Sequence, residues 1–176
     1  YKEISYGRLN IESIISPWVH LPEDEAYYGE NDLDGSDLRP QQMAGDAINA
    51  AADIGFDFSL GDSDNDDWVD CLTIIHSGHG EEWVGNPESL IWSHRWGLAS
   101  VISKNDTNMF RYNTSPALRG EISNAGITRI GVICHELGHF LGLPDLYDPS
   151  GQTMGIGNWG IMAVGAWNGG DGRSPA

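Results

Sequence analysis

The stretch His135-Glu136-Leu137-Gly138-His139-Phe140-Leu141-Gly142-Leu143-Pro144-Asp145 decides how this chain of 176 residues is read. It has the form H-E-x-x-H-x-x-G-x-x-D. On a helix, His135 and His139 lie one turn apart on one face, with Cβ atoms roughly 5–6 Å apart. Two neutral imidazoles at that spacing fill two corners of a tetrahedral zinc site. Glu136 follows the first histidine, so its carboxylate reaches a water at the metal without having to ligate the ion. That is the placement a general base needs. Gly142 takes positive φ without steric penalty and ends the helix in a left-handed turn, and Pro144 prevents the helix from resuming. A chain that turns sharply there brings Asp145 back as a third ligand and leaves the fourth position to water, as in a catalytic site rather than a closed structural one. The five-residue core of the motif also arises by chance in helices, so the weight falls on the residues that follow it.

Working outward, the helix that carries the motif is expected from about Asn124 to Leu141. Ile127, Ile130, Cys134, Leu137 and Leu141 form its expected buried stripe, while Val132, His135 and His139 share another face. Beyond Asp145 the chain is loaded with Gly, Asn and Trp from Gly151 to Gly172, with an apolar point at Trp159-Gly160-Ile161-Met162-Ala163. Met162 alone would count as ordinary core. In a tight, Gly-flanked turn beyond such a motif, it is expected to form an apolar floor beneath the metal.

The length suits one domain with a real core, and the 40% hydrophobic content and seven tryptophans suit a globular chain. No apolar run is long enough for a membrane span, and no signal peptide opens the sequence. The chain is therefore expected to be a mature form or an excised catalytic domain spanning 1–176. The formal charge of −17 argues against nucleic acid, whose phosphates would be repelled. Two cysteines, Cys71 and Cys134, do not make a disulfide scaffold; Cys134 reads as a small apolar residue, with a Cys71–Cys134 bridge as the lesser alternative.

Residues 1–22 read as two short strands joined by a turn, and 23–37 as an acidic surface loop with Tyr27-Tyr28-Gly29 packed at its base. A helix is predicted from Pro40 to about Ile54, capped by Asp37, stopped by Gly55, and buried through Met43, Ala47, Ile48, Ala51 and Ile54. Asp62, Asp64, Asp66 and Asp70 place oxygens at the spacing that opens a calcium loop. Asp67 stands where the EF-hand pattern has its turn glycine, and Thr73 where it has its bidentate Glu; a solvated acidic turn is the alternative. Cys71–His76 reads as a buried strand, 77–82 as a polar loop, and Leu90–His94 as a further strand or edge segment. His76, His79 and His94 are either site residues or hydrogen-bonded structural histidines. Asn105 and Asn113 open sequons, the second disfavoured by Pro116.

With the H-E-x-x-H-x-x-G-x-x-D run and the Asn158-Trp159-Gly160-Ile161-Met162 turn both in place, the chain resembles the immune inhibitor A-like M6 peptidases, metzincin-type zinc endopeptidases. Supporting stretches are Ala26-Tyr27-Tyr28-Gly29, the acidic loop at 62–70 and Ile91-Trp92-Ser93-His94-Arg95-Trp96, so the resemblance covers nearly the whole chain. It implies an α/β (α+β) zincin-like fold: a twisted mixed β-sheet, a backing helix and the H-E-x-x-H helix. It implies zinc on His135, His139 and Asp145, Glu136 as base, and Met162 in the Met-turn; calcium as a second metal rests on the spacing at 62–70. A secreted peptidase acting on protein or peptide substrates follows, a monomer with further domains in its full-length precursor. Many metzincins carry a tyrosine two residues after the methionine; here Val164 stands there, which leaves Tyr147 as a weak stand-in. The rival class is a catalytically inactive, calcium-dependent binding or adhesion module on a peptidase scaffold. A zinc hydrolase of non-peptide bonds is the second alternative.

Overall fold

A computed structural model describes residues 1–3, 5–84 and 89–169. Its framework is a mixed sheet in the order β1–β3–β2, with β1 at Thr73–His79, β2 at His94–Lys104 and β3 at Thr107–Arg119; the two-residue β4, Gly126–Ile127, pairs with the end of β3. β1 runs parallel to β3 and β2 antiparallel to it. The β2–β3 hairpin closes through Asn105 and Asp106, both at positive φ (52° and 60°), the tight turn whose twist matches the strands. Central β3 contains Pro116, which has no N–H to give. Asn113 N–H bonds to Leu72 O on the β1 side, so even-numbered positions point toward β2. β2 stops pairing at Thr114, and Pro116 falls just past that end, where no ladder bond is lost.

Two helices cover the sheet. α2 (Pro40–Asp53) packs Ala44, Ile48 and Ala51 against Leu98, Met109 and Tyr112, while Met43 joins Tyr28 and Ile91 in a second cluster. α4 (Ile130–Phe140) meets the sheet through Phe140, whose ring lies under the Arg95 guanidinium at 5.7 Å. Arg95 directly precedes Trp96, the cross-strand partner of Tyr112 beneath α2, so Arg95 and Phe140 lie on the face away from α2. Two one-turn α-helices, α1 (Glu25–Tyr28) and α3 (Glu81–Val84), also form, beside short 3-10 turns. Tyr28 is fully buried beside a close backbone approach: a Cβ on Gly29 would lie 2.5 Å from the Leu90 carbonyl carbon. That contact explains why Tyr27-Tyr28-Gly29 anchors the acidic loop.

Several expectations are corrected. No strand forms among the described residues of 1–22: tight turns occupy the start, and Ile11, Ile15 and Trp18 remain exposed because no sheet edge receives them. The expected strand at Ile4 lies outside the described residues, as does the Gly-rich stretch from Gly170. Asp37 does not cap α2; Arg39 is the N-cap residue, without a side-chain bond, and Asp37 accepts from Trp92 N–H instead (3.2 Å). Ile54 ends α2 exposed. β1 continues through 77–79 before α3, and the 90–94 segment is an isolated bridge at Ile91 that becomes β2 at His94.

The predicted start and buried stripe of the motif helix also fail. Gly126 and Ile127 pair with β3, so the helix starts at Ile130 instead of near Asn124. Ile127, Ile130 and Leu141 are exposed, whereas Gly131, Val132, Glu136 and Gly138 are buried. The helix thus turns its short residues and its acid inward. Both cysteines are free, which removes the bridge. Asn113 and Thr114 are 1% and 0% exposed, which closes that sequon to any glycan.

Candidate active site

The end of α4 builds the site. Leu143 N–H bonds back to Gly138 O at 3.2 Å and Gly142 N–H to His139 O at 3.1 Å, with Gly142 at φ +78°. These are the two crossed bonds of a Schellman cap, and they satisfy carbonyls that a helix end leaves open. The cap has a second effect: it aims the Leu143 carbonyl at His139, whose Nδ1 lies 2.8 Å away. His135 Nδ1 lies 2.9 Å from Ile161 O, in the turn before Met162. A carbonyl only accepts, so each Nδ1 carries the proton and each neutral imidazole turns an Nε2 lone pair the other way.

Both Nε2 atoms face Asp145. Its Oδ1 lies 3.1 Å from His135 Nε2 and 3.5 Å from His139 Nε2, and the two rings stand 5.0 Å apart at 85°. Donor atoms of His135, His139 and Asp145 all fall within 4.8 Å of one another. Two lone pairs and a carboxylate oxygen converging this closely repel unless a positive charge lies among them. Two nitrogen donors and one oxygen donor, with the nitrogens oriented by backbone carbonyls, suit zinc.

Beneath the helix, Met162 is 3% exposed, and a Cβ on Gly138 would lie 2.5 Å from its Sδ. Gly138, an unspecified position in the motif, is therefore what allows the methionine turn to approach. The turn is tied to the ligand loop by Leu146 N–H to Met162 O, 2.7 Å. Tyr147 stacks on His135 at 6.2 Å and 27°. A cleft of about 330 Å³ opens beside Glu136, walled by Val132, Ala163, Ala166, Trp167 and Trp92, with Glu82 and Ser93 at its side. Glu82 was not singled out in the sequence; it stands in what reads as a polar loop, and its place shows only once Ser93 N–H and hydroxyl bind its carboxylate.

The other sequence-marked residues lie elsewhere. His94 is held by Trp92 O and Tyr112 hydroxyl, His79 by Gly120 O, and His76 by Glu25, so none of the three joins the zinc-type cluster. In the acidic loop, Asp62, Asp64 and Asp70 bring oxygens within 4.8 Å of one another. Asp66 stands outside that group and accepts from Trp68 N–H at 3.0 Å. The neighbouring charge of Asp66, followed by desolvation and the charges of Asp70 and Asp62, raises the Asp64 carboxyl above its ordinary range.

A family profile for the immune inhibitor A peptidase M6 catalytic domain matches residues 1–176, and the chain belongs to that family. It is similar to immune inhibitor A of Bacillus thuringiensis subsp. alesti, 31% identical over 193 residues, and to the pre-pro-metalloprotease PrtV of Vibrio cholerae serotype O1, 28% identical over 191. Each alignment covers 96% of this chain, but the chain spans 28% and 21% of the length of those relatives. The His135–Asp145 cluster lies within the stretch that this catalytic-domain profile matches.

Burial, aided by the negative charges of Asp145 and Glu82, pushes the Glu136 carboxyl from 4.5 up to about 8 in the metal-free chain. The folded chain then keeps a proton that the unfolded chain has released. The stability this group contributes is complete below the unfolded value of 4.5 and is lost as pH rises through about 8. In EDTA, Tm of the wild type should therefore fall relative to Glu136→Gln as pH is raised from about 5 to about 8. Parallel Tm curves for the two proteins would contradict the assignment.

Proposed function

We propose that the chain is the catalytic domain of a zinc-dependent endopeptidase, with His135, His139 and Asp145 as the metal ligands. The observation that carries this reading is the convergence of two Nε2 atoms and Asp145 Oδ1 beside a buried Glu136. Bound there, zinc supplies a Lewis acid that polarises a scissile carbonyl and lowers the pKa of a water to about 7. Glu136 takes the proton of the attacking water and delivers it to the leaving amine as the C–N bond breaks. Water's oxygen ends on the new carboxyl, so no acyl-enzyme forms. The Ile161 carbonyl, in the turn ahead of Met162, holds the first histidine, and the Schellman cap holds the second. The apolar cleft walls seat substrate side chains next to Glu136.

The substrates are proteins or peptides, and the setting is extracellular. Further domains belong to the full-length protein, in keeping with the greater length of the relatives. The binding-module alternative is not favoured, because Glu136 and every proposed ligand are present and assembled.

We expect Glu136→Ala to keep stoichiometric zinc while losing about 10²–10⁴-fold in casein hydrolysis. Activity within about threefold of wild type would remove Glu136 from the mechanism. A matching loss on peptides, with esters unaffected, would separate peptide from non-peptide chemistry.

The 62–70 loop is proposed as a structural calcium site through Asp62, Asp64 and Asp70, supported by their convergence and mutual repulsion. The Asp64→Asn/Asp70→Asn variant should bind one calcium equivalent fewer than wild type. Equal stoichiometry would leave the loop a hydrogen-bonded acidic turn.

A further inference from the structure

One carboxylate at the cleft is fixed from several sides. Glu82 is the second residue of α3, and both its oxygens accept from Ser93, Oε2 from the backbone N–H at 3.2 Å and Oε1 from the hydroxyl. Ser93 is 5% exposed, so these two donors are withdrawn from solvent. A Cβ on Gly80 would lie 2.5 Å from Glu82 Oε2, so the glycine leaves the space that the carboxylate fills. α3 is itself held in place. Glu81 N–H bonds to Ile91 O at 3.2 Å, and the Trp83 ring meets the Trp167 ring edge-on, with centroids 4.6 Å apart. Trp167 walls the cleft, so the same contact sets Glu82 against that wall.

The charge is what this arrangement leaves over. A neutral amide oxygen would serve Ser93 equally well as an acceptor. Among the described residues no lysine or arginine pairs with Glu82, and the lining of the cleft contains neither residue type. Its lining carboxylates are Glu82, Glu136 and Asp148. The charge of Glu82 also adds to that of Asp145 in the surroundings of Glu136. Like charges around a half-enclosed space cost free energy unless a cation joins them. A charge kept there, where folding does not require it, is suited to something that enters the cleft.

We propose that Glu82 is a specificity-determining residue that selects substrates carrying an arginine or lysine side chain next to the scissile bond. The inference rests on the peptidase reading of the site. Arginine and lysine have the two parts this cleft accommodates, an aliphatic stem that buries along apolar surface and a cationic head. The stem lies along Val132, Ala163 and Ala166, in a cleft of about 330 Å³, and the head meets Glu82. A carboxylate oxygen accepts more than one hydrogen bond, so Glu82 receives the head without releasing Ser93. An acidic side chain in the same place would add to the like charges. A large apolar one would desolvate Glu82 without a counter-charge.

The test compares zinc-loaded wild type with Glu82→Gln, which keeps an acceptor for Ser93 and removes the charge. Both are assayed on peptides copied from a casein cleavage site, with arginine or uncharged norleucine on either side of the scissile bond. The readout is the arginine-to-norleucine ratio of kcat/KM within each protein, since a purely structural role of Glu82 lowers both peptides alike and leaves the ratio unmoved. Wild type should favour arginine on the order of tenfold at one of the two positions, and the ratio should fall to about one in Glu82→Gln. A wild-type ratio at or below one at both positions, or an unchanged ratio in Glu82→Gln, overturns the proposal. Should Glu82→Gln fail to fold, mapping the bonds that wild type cleaves in unfolded casein decides: arginine and lysine enriched beside them support the assignment, and no enrichment refutes it. If no peptide and no casein bond is cleaved, the peptidase reading fails and this inference fails with it.

Discussion

Two hydrogen bonds, from the Nδ1 atoms of His135 and His139 to the carbonyls of Ile161 and Leu143, set the chemistry of this chain. Neither carbonyl belongs to a conspicuous residue. Each is delivered by a backbone device: the Schellman cap at Gly142 for one histidine, the turn ahead of Met162 for the other. A neutral imidazole is ambidentate until something fixes its proton, and these carbonyls do so. The cap and the methionine turn are in turn tied together through Leu146 and Met162, so a disturbance at either reaches both rings.

The same dependence explains what the sequence made legible. Residues 135–145 could be read because their geometry is local: one helical turn, one cap, one proline. α2 could be read because its apolar spacing matched a helix packed on a sheet. The buried side of α4 could not, since Ile127, Ile130 and Leu141 give the stronger periodicity and yet face outward. Hydrophobic pattern identifies a stripe but does not identify what covers it. Residues 1–22 misled for a related reason, their β-branched character being real and their partner strand missing from the described chain. Burial of Asn113, Glu81 and Glu136 was beyond reach, because a polar residue becomes interior only through tertiary contacts.

Acidity is distributed with a purpose in this molecule. A formal charge of −17 would ordinarily spread over the surface, where solvent screens it. Here part of it is concentrated at two places, the histidine site and the 62–70 turn. At each, gathered acceptor atoms repel one another, a cost that a bound cation would offset. With a cation bound at either place, metal binding and folding would be one equilibrium, because a cation held only by the folded chain stabilises it.

The central claim is that Asp145 completes the metal site begun by the two histidines. X-ray absorption on zinc-loaded protein, compared with Asp145→Ala, tests it most directly. The wild-type shell should contain two imidazole nitrogens at roughly 2.0–2.1 Å and a carboxylate oxygen at roughly 2.0–2.2 Å. That oxygen should be replaced by water in Asp145→Ala, with zinc bound more weakly. An unchanged shell and affinity in Asp145→Ala would contradict the account and leave Gly142-Leu143-Pro144 as a plain helix stop.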